Sequence, residues 1–246
     1  MIIGSIISDT SIEKRVSITP ESAKNIISLG LKILLEKNYG SHLGITDDEY
    51  SKVGVDIKAS QDEIINQSRL LTMVNCPSDQ QILKIKQKSI LIGMLNPSKN
   101  GSKLKELLKK EMKMFSLELL PRITRAQSMD VLSSQSNLAG YRSVVDSVAE
   151  FEKAVPMMMT AAGTVPAAKV LVIGAGVAGL QAIATAKRLG AIVSATDVRS
   201  ASKEQVESLG GKFLTVEQSE DMETAGGYAK EASDEYKKKQ AEMMRN

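Results

Sequence analysis

The chain has 246 residues, of which 42% are hydrophobic and 25% charged, a composition typical of a globular protein of one or two domains. The 32 basic and 29 acidic residues are interspersed, the formal net charge is +3, and aromatic residues make up only 3%, so no nucleic-acid partner is expected. The single cysteine, Cys76, excludes an intrachain disulfide, and the single histidine, His42, leaves too few ligands for a His/Cys metal site, so no metal is expected.

No segment of the sequence predicts a secretory signal or a membrane span. The start, from Met1 to Asp9, has no basic region and reaches a charged residue too early for a signal peptide. The longest apolar stretch, residues 155–186, is divided by Pro156, Pro166 and three glycines into loop, strand and helix. We therefore expect no transmembrane segment within this chain.

Before residue 122, short apolar strands alternate with amphipathic helices. This βαβα alternation predicts a mostly parallel sheet covered by helices, in a first α/β domain of residues 1–133. The predicted strands are Ile2–Ile7, Lys32–Leu35, Arg69–Val74, Ser89–Leu95 and Lys113–Leu117, and the predicted helices are Pro20–Leu29, Asp47–Val53, Gln61–Asn66, Asp79–Lys86 and Lys103–Glu111.

A second domain is predicted over residues 134–246. It begins with a long helix, Ser134–Glu152, and ends in a charged, helical segment, residues 231–246. Only two strands between them are convincing, whereas a doubly wound dinucleotide-binding fold usually has about six. The expected fold class is therefore α/β with two doubly wound parallel-sheet domains, the second an incomplete Rossmann-type domain.

A glycine-rich turn lies between the strand Val170–Ile173 and the helix predicted from Val177 to Leu189. In this context the spacing of three glycines predicts a dinucleotide-binding turn: the first allows the tight turn, the second a close approach of pyrophosphate, and the third close helix packing. Helix N-terminal amides would bind the phosphates. The alternative is a packing turn without a ligand. The residues of the predicted turn are Gly174, Ala175, Gly176, Val177, Ala178 and Gly179.

Asp197 follows the second predicted strand of this domain, Ala191–Thr196, roughly 20 residues after the first glycine, where such folds carry the carboxylate that binds the adenosine ribose. A carboxylate there repels a 2′-phosphate, which favours NAD(H) over NADP(H). Arg199 weakens this prediction because an arginine at a strand end can receive that phosphate. Asp197, Val198 and Arg199 are the expected ribose-side residues.

Three segments resemble one family. They are residues 13–20 (EKRVSITP), 121–141 (PRITRAQSMDVLSSQSNLAGY) and 223–230 (ETAGGYAK). Together with the glycine turn they are similar to the NAD(H)-binding component, domain I, of proton-translocating NAD(P) transhydrogenase. The resemblance extends from about residue 13 to about residue 241, and the wider superfamily includes alanine dehydrogenase.

The resemblance implies direct hydride transfer from NADH on this component to NADP⁺ on a separate component, coupled by a membrane-spanning component to proton movement. It implies a homodimer on the cytoplasmic or matrix-like face of an energy-coupling membrane. It also implies that Tyr228 belongs to a mobile loop that closes over NAD(H), although an ordinary flexible loop is the alternative. The residues implied to hold the nicotinamide, assigned as the catalytic set, are Arg122, Gln127, Asp130 and Ser133.

Alternatives to these assignments remain open. The four nicotinamide residues could instead cap the long helix, with Arg122 and Asp130 as a surface ion pair. At the positions where alanine dehydrogenase uses a lysine and a histidine for its substrate, this chain has Met73 and Met94, whose thioethers cannot transfer a proton. This argues against an amino-acid dehydrogenase, and an ion pair is the expected use of Arg15.

The family component continues for more than a hundred residues beyond the equivalent of Asn246. We therefore hypothesise that a second, completing C-terminal polypeptide supplies the remaining strands, because an unpaired parallel sheet edge would otherwise be exposed. Three functions follow as hypotheses. The favoured one is the NAD(H)-binding component of a transhydrogenase, and the others are a self-contained alanine-dehydrogenase-like oxidoreductase and an inactive NAD-binding fragment.

Overall fold

A computed structural model of the protein describes residues 1–121, 123–215 and 233–245. By its internal contacts the chain divides into two compact units, Met1–Asp130 and Val131–Asn246. Each unit has its own parallel sheet, and the described residues of each form their own hydrophobic core. The predicted α/β class is confirmed.

The first unit is built on a six-stranded, entirely parallel sheet with the order β3-β2-β1-β4-β5-β6. The order reverses between β1 and β4, which pair through Ile3 with Leu70. Such a reversal opens a crevice at the carboxyl ends of the two strands. The strands are β1 (Ile2–Ser5), β2 (Lys32–Glu36), β3 (Asp56–Lys58), β4 (Leu70–Asn75), β5 (Ile90–Met94) and β6 (Lys113–Ser116).

Helices cover both faces of this sheet, because its strands are apolar on both sides. In β2, Ile33 and Leu35 lie in one core cluster, whereas Leu34 between them lies in the other, and all three are buried. Continuous apolar strands of this kind are typical of parallel sheets. The helices are α1 (Pro20–Ser28), α2 (Asp47–Lys52), α3 (Gln61–Gln67), α4 (Asp79–Lys84) and α5 (Pro97–Lys109).

Helix starts in this unit are set by hydroxyl caps. Thr46 accepts the amide of Glu49, and the Glu49 carboxylate accepts the amide of Thr46 at 2.7 Å, a reciprocal capping box. Helix α5 begins at Pro97, six residues earlier than predicted. The Asn96-Pro97 pair indicated a turn, but proline at the first helical position starts a helix because its missing N–H has no partner there.

A buried hydroxyl network ties the loop after β1 to the sheet. Ser5 on β1 donates to the carbonyl of Thr72 on β4 at 2.8 Å and contacts the Tyr39 hydroxyl at 2.7 Å. The same Tyr39 oxygen accepts the amide of Ser17 at 3.0 Å, and Tyr50 donates to the Ile18 carbonyl at 2.9 Å. The network satisfies polar groups that would be costly to bury alone, and it fixes the loop at the strand-order reversal.

The second unit contains a three-stranded parallel sheet with the order β11-β10-β9 and a separate antiparallel hairpin, β7-β8, among its described residues. The long helix begins at Val131 rather than Ser134, so Ser133 lies in its first turn. The strands are β7 (Met158–Thr160), β8 (Gly163–Val165), β9 (Lys169–Ile173), β10 (Ile192–Thr196) and β11 (Lys212–Phe213), and the helices are α6 (Val131–Glu150), α7 (Val177–Arg188), α8 (Ser202–Ser208) and α9 (Asp234–Arg245).

Arg15 pairs with Glu13 in the loop after β1, as the sequence predicted for an ion pair. The guanidinium donates through Nε at 2.8 Å and Nη2 at 2.7 Å, and Asn75 donates to the same carboxylate at 3.1 Å. The Glu13 side chain is 10% exposed. The hydrogen bonds from Arg15 outweigh the effect of burial and lower the pKa of Glu13 to about 2.

We predict that Glu13→Gln destabilises the protein at pH 7 by on the order of 1–3 kcal/mol, because it removes the charge from two hydrogen bonds with Arg15. A lowered native pKa stabilises the fold above the unfolded value of about 4.5, and that stabilisation is lost as the pH falls toward about 2. Urea unfolding at pH 7, 4 and 2.5 should therefore show a difference from the wild type that shrinks across this range.

Glu106→Gln is the matched control, since Glu106 pairs with Lys109 on the surface of α5 and is 57% exposed. Exposed pairs contribute little, so this variant should stay within about 0.5 kcal/mol of the wild type at every pH. A Glu13→Gln difference that is constant with pH would contradict the assignment.

Candidate nucleotide-binding site

The predicted glycine turn lies where β9 passes into α7. Gly174 has φ +92°, a conformation that side chains other than glycine rarely adopt. Its amide donates to the Thr196 carbonyl at the end of β10 at 2.8 Å, which joins the turn to the neighbouring strand. The turn is therefore held at the carboxyl ends of two parallel strands.

Gly179 brings the first turn of α7 against the glycine turn itself. A Cβ at this position would lie 2.9 Å from the carbonyl carbon of Gly174 and 3.5 Å from the side chain of Val172. Any side chain at residue 179 would force the helix away from β9. The third glycine thus permits the close helix packing that the spacing predicted.

The N-terminus of α7 is open toward the turn. Gly176 is the capping residue, and among the described residues no side chain caps this end. A Cβ on Gly174 would meet no atom within 4 Å, and one on Gly176 would meet only Arg199 Nη2, at 3.9 Å. Amides without a protein acceptor, beside open space at the positive end of a helix dipole, are suited to bind an anion.

Asp197 lies at the edge of this turn. Its Oδ2 accepts the amide of Ala175 at 2.6 Å, and its side chain is only 5% exposed. Burial alone would raise the pKa of Asp197, but the hydrogen bonds from Arg199 and Ala175 outweigh it, and the pKa lies below its ordinary value. The carboxylate is therefore ionised at neutral pH.

Arg199 forms a two-pronged pair with this carboxylate. Its Nε donates to Oδ1 and its Nη2 to Oδ2, both at 2.9 Å, and its backbone amide donates to Oδ1, also at 2.9 Å. The sequence left open whether Arg199 receives a 2′-phosphate. In the structure the guanidinium instead pairs with Asp197, and Val198 lies between the two, half-buried.

The structure thus brings together the glycine turn, Asp197 and Arg199 within the second unit. The predicted nicotinamide residues are distributed otherwise: Gln127 is exposed in a short 3-10 helix of the first unit, and the amide of Asp130 closes that helix on the Gln127 carbonyl at 3.2 Å. Ser133 belongs to α6 in the second unit. Arg122 and Tyr228 lie outside the described residues.

The first unit contains a crevice that residue patterns did not single out. It lies at the carboxyl ends of β1, β2 and β4, has a volume of about 560 Å³, and is lined by Glu13, Glu36, Met73 and Lys103, among others. The reversal of strand order between β1 and β4 is the feature that locates it. Met73 is 4% exposed, so this part of the lining is apolar.

Two further searches of the described residues gave negative results. No group of three or more His, Cys, Asp or Glu side chains is arranged to hold a metal ion. Within the same part of the chain, no helix combines the length and the apolar composition required to cross a membrane.

Comparison with known proteins matches both units to one family. The N-terminal domain model of alanine dehydrogenase/PNT matches residues 8–139, and the C-terminal domain model of the same family matches residues 143–243. Among solved structures, a transhydrogenase from Sinorhizobium meliloti superposes with a TM-score of 0.84 and 47% identity, covering 88% of this chain and 64% of that one. An L-alanine dehydrogenase, at a TM-score of 0.76 and 21% identity, covers 87% of this chain and 60% of its own and shares the fold.

Among curated proteins, an NAD(P) transhydrogenase alpha subunit from Rhodospirillum rubrum, in the first of the parts into which that subunit is divided, is 52% identical over 239 residues. The match covers 94% of this chain and 62% of that relative, so the chain spans less than two thirds of the relative's length. The two family models together account for nearly all of the sequence, and the chain belongs to the alanine dehydrogenase/PNT family.

Proposed function

We propose that this chain is the NAD(H)-binding component of a proton-translocating NAD(P) transhydrogenase. One observation carries the proposal: the uncapped start of α7 and the buried, ionised carboxylate of Asp197 meet at a single glycine turn. The first suits a pyrophosphate and the second suits a ribose hydroxyl. The 52% identity to a transhydrogenase subunit supports this choice within the family.

The residues present fit a dinucleotide. At Gly174 and Gly176 the space that a Cβ would fill is open to within 4 Å, apart from the Arg199 side chain. The hydroxyl oxygen of Thr196, next to Asp197, is buried without a hydrogen-bond partner among the described residues. A polar ligand at this strand end would meet groups that the protein itself leaves unsatisfied.

The proposed role of the chain is to bind and orient. The α7 amides hold the pyrophosphate and Asp197 accepts the ribose hydroxyls, while Arg122, Gln127, Asp130 and Ser133 supply donors and acceptors for the carboxamide and ribose of the nicotinamide half. The segment that contains Tyr228 excludes water by closing over the site. A bound nicotinamide supplies the hydride chemistry, so no acid or base is required from the protein.

NADH rather than NADPH is the proposed ligand of this chain. Asp197 is ionised and is held by Arg199 through both carboxylate oxygens, so a 2′-phosphate would meet a negative charge. To receive that phosphate, the guanidinium would have to break two hydrogen bonds of 2.9 Å. NADP(H) is then bound by a partner component.

The proposed partners are an NADP(H)-binding component and a membrane-spanning component that couples hydride transfer to proton movement. We place the chain peripherally, on the cytoplasmic or matrix-like face of the membrane, as a homodimer. The alanine dehydrogenase alternative is disfavoured because Met73, buried in the crevice of the first unit, can neither transfer a proton nor bind a carboxylate by charge.

A completing polypeptide is proposed to pair with the free edge of β9. In the described sheet β9 pairs only with β10, and its side chains Leu171 and Ile173 are 43% and 65% exposed. Between β9 and α6 runs a groove of about 410 Å³, lined mostly by apolar side chains. Because the matched relative is longer than this chain, we commit to one occupant: a parallel, apolar β-strand from the family segment that this chain does not match.

We predict that Asp197→Ala weakens NADH binding by ~1.5–3 kcal/mol, the cost of a lost hydrogen bond to a charged group. Isothermal titration with NADH measures this loss, and titration with NADPH should show a narrowed preference because the repelling charge is gone. Asp146→Ala is the control, since Asp146 forms an exposed pair with Arg142 on α6. An unchanged NADH dissociation constant for Asp197→Ala contradicts the ribose assignment.

Hydride exchange tests the proposed activity directly. We expect the chain, with a completing segment, to catalyse reduction of an NADP⁺ analogue by NADH only when the NADP(H)-binding component of a transhydrogenase is added. Absorbance at the wavelengths of the reduced analogue follows the reaction. Reduction of NAD⁺ with alanine and no partner would favour the dehydrogenase alternative, and NADH binding without exchange would favour the inactive fragment.

The β9 edge is tested by adding the unmatched segment of the Rhodospirillum rubrum relative as a separate polypeptide. We expect a one-to-one complex and slower amide hydrogen exchange along β9, because the strand gains a hydrogen-bonded neighbour. Leu171→Asp should abolish the complex, while Ile192→Asp, an exposed position on β10 outside the groove, should not. Cooperative unfolding and full NADH affinity of the chain alone would contradict the need for a completing strand.

A further inference from the structure

Helices α6 and α7 approach each other backbone to backbone at Gly140. This residue is buried, and a Cβ built on it would lie 2.8 Å from the carbonyl carbon of Ala178 and 2.9 Å from its Cα, with the Ala178 oxygen closer still. The contacted atoms are backbone and cannot swing aside. Any side chain at residue 140 would therefore push the two helices apart by roughly 1 Å or more.

The atoms that Gly140 touches belong to the proposed phosphate site. Ala178 is the second residue of α7, within the first turn whose amides face the glycine turn. One turn further along both helices, Val144 of α6 and Ala182 of α7 lie in the same buried cluster. The α6–α7 contact thus starts at the phosphate-binding end of α7 and continues into the core.

Ser133 lies on the same side of α6 as Gly140. The two are seven residues apart, close to two full turns, so the serine is on the face that meets α7 and about 10 Å nearer the start of α6. Ser133 is half-buried. The position of this serine relative to the α7 amides is therefore set by how closely α6 approaches α7 at Gly140.

We propose that Gly140 is a positioning residue for NAD(H): it holds α6 against the first turn of α7, so that Ser133 contacts the nicotinamide half of the same dinucleotide whose pyrophosphate is bound by α7. The inference rests on the proposed function. Gly140 touches neither ligand nor reacting atoms, and it acts only through the spacing of the two helices. A small displacement there separates the binding of the two halves of the ligand.

The test compares two ligands on Gly140→Ala. ADP requires only the glycine turn and Asp197, whereas NADH also requires the α6 contact. We expect the ADP dissociation constant to stay within about twofold of wild type and that of NADH to rise at least about tenfold. Equal weakening of both ligands would make Gly140 a packing residue only, and unchanged NADH affinity would remove any role. Either result overturns the proposal.

Two control variants separate positioning from helix stability. Gly101→Ala changes a helical glycine of α5 whose Cβ would meet no atom within 4 Å, so both affinities should be unchanged. Val144→Ala removes volume from the α6–α7 contact without inserting a wedge. It should leave the ratio of the two affinities as in the wild type, even though it lowers the unfolding temperature.

A second variant carries the test if Gly140→Ala fails to fold, which loss of ADP binding together with circular dichroism would reveal. Ser133→Ala leaves the helix contact intact and should weaken NADH but not ADP. Unchanged NADH affinity in that variant overturns the proposal. If the wild-type chain binds ADP but not NADH, the proposed function fails with it, whereas a wild type that binds both and a Gly140→Ala variant with an unaltered ratio refute this inference alone.

Discussion

The second unit depends on one short hydrogen bond between a side chain and the backbone, in which Asp197 Oδ2 accepts the amide of Ala175 at 2.6 Å. This bond joins the end of β10 to the turn after β9, beside the bond from the Gly174 amide to the Thr196 carbonyl. The carboxylate is thereby fixed in place while it stays ionised. The groups proposed to recognise the ribose and the pyrophosphate are consequently one rigid arrangement, built before any ligand arrives.

The first unit keeps the geometry of a ligand crevice but neutralises some of its chemistry. Glu13 faces the space beyond β1 and β4, yet Arg15 and Asn75 already satisfy its carboxylate. Met73 contributes an apolar wall where a charged side chain would be needed to bind a substrate carboxylate. We interpret the first unit as a scaffold whose crevice has no acid–base role in the proposed hydride exchange.

Much of the fold could be predicted from local patterns, and the failures have physical causes. The first-unit strands other than β3, and the turn at Gly174, were predicted because apolar runs and glycine spacing act over a few residues. Short strands such as β3 and β11, with three and two residues, carry too little pattern and form only because a neighbouring strand supplies the hydrogen bonds. The hairpin of β7 and β8 lies in a stretch divided by prolines, which indicated a loop.

Side-chain pairing was the harder aspect of the candidate site to predict. Spacing located Asp197, but it could not decide whether Arg199 turns toward a phosphate or toward the carboxylate two residues before it. That choice depends on the backbone bend after β10. Likewise, the sequence contains Gly140 without any sign of its neighbour, because the contact joins α6 to a helix that begins 37 residues later, at Val177.

The pairing of Asp197 with Arg199 also has an electrostatic consequence at long range. Because the guanidinium compensates the carboxylate, an approaching dianionic dinucleotide does not meet an isolated negative charge at the mouth of the site. The nearest uncompensated field is the positive end of the α7 dipole, whose opposite end is stabilised by the basic residues Lys187 and Arg188. Ligand capture is then guided by backbone polarity, which is short-ranged and only weakly screened by salt.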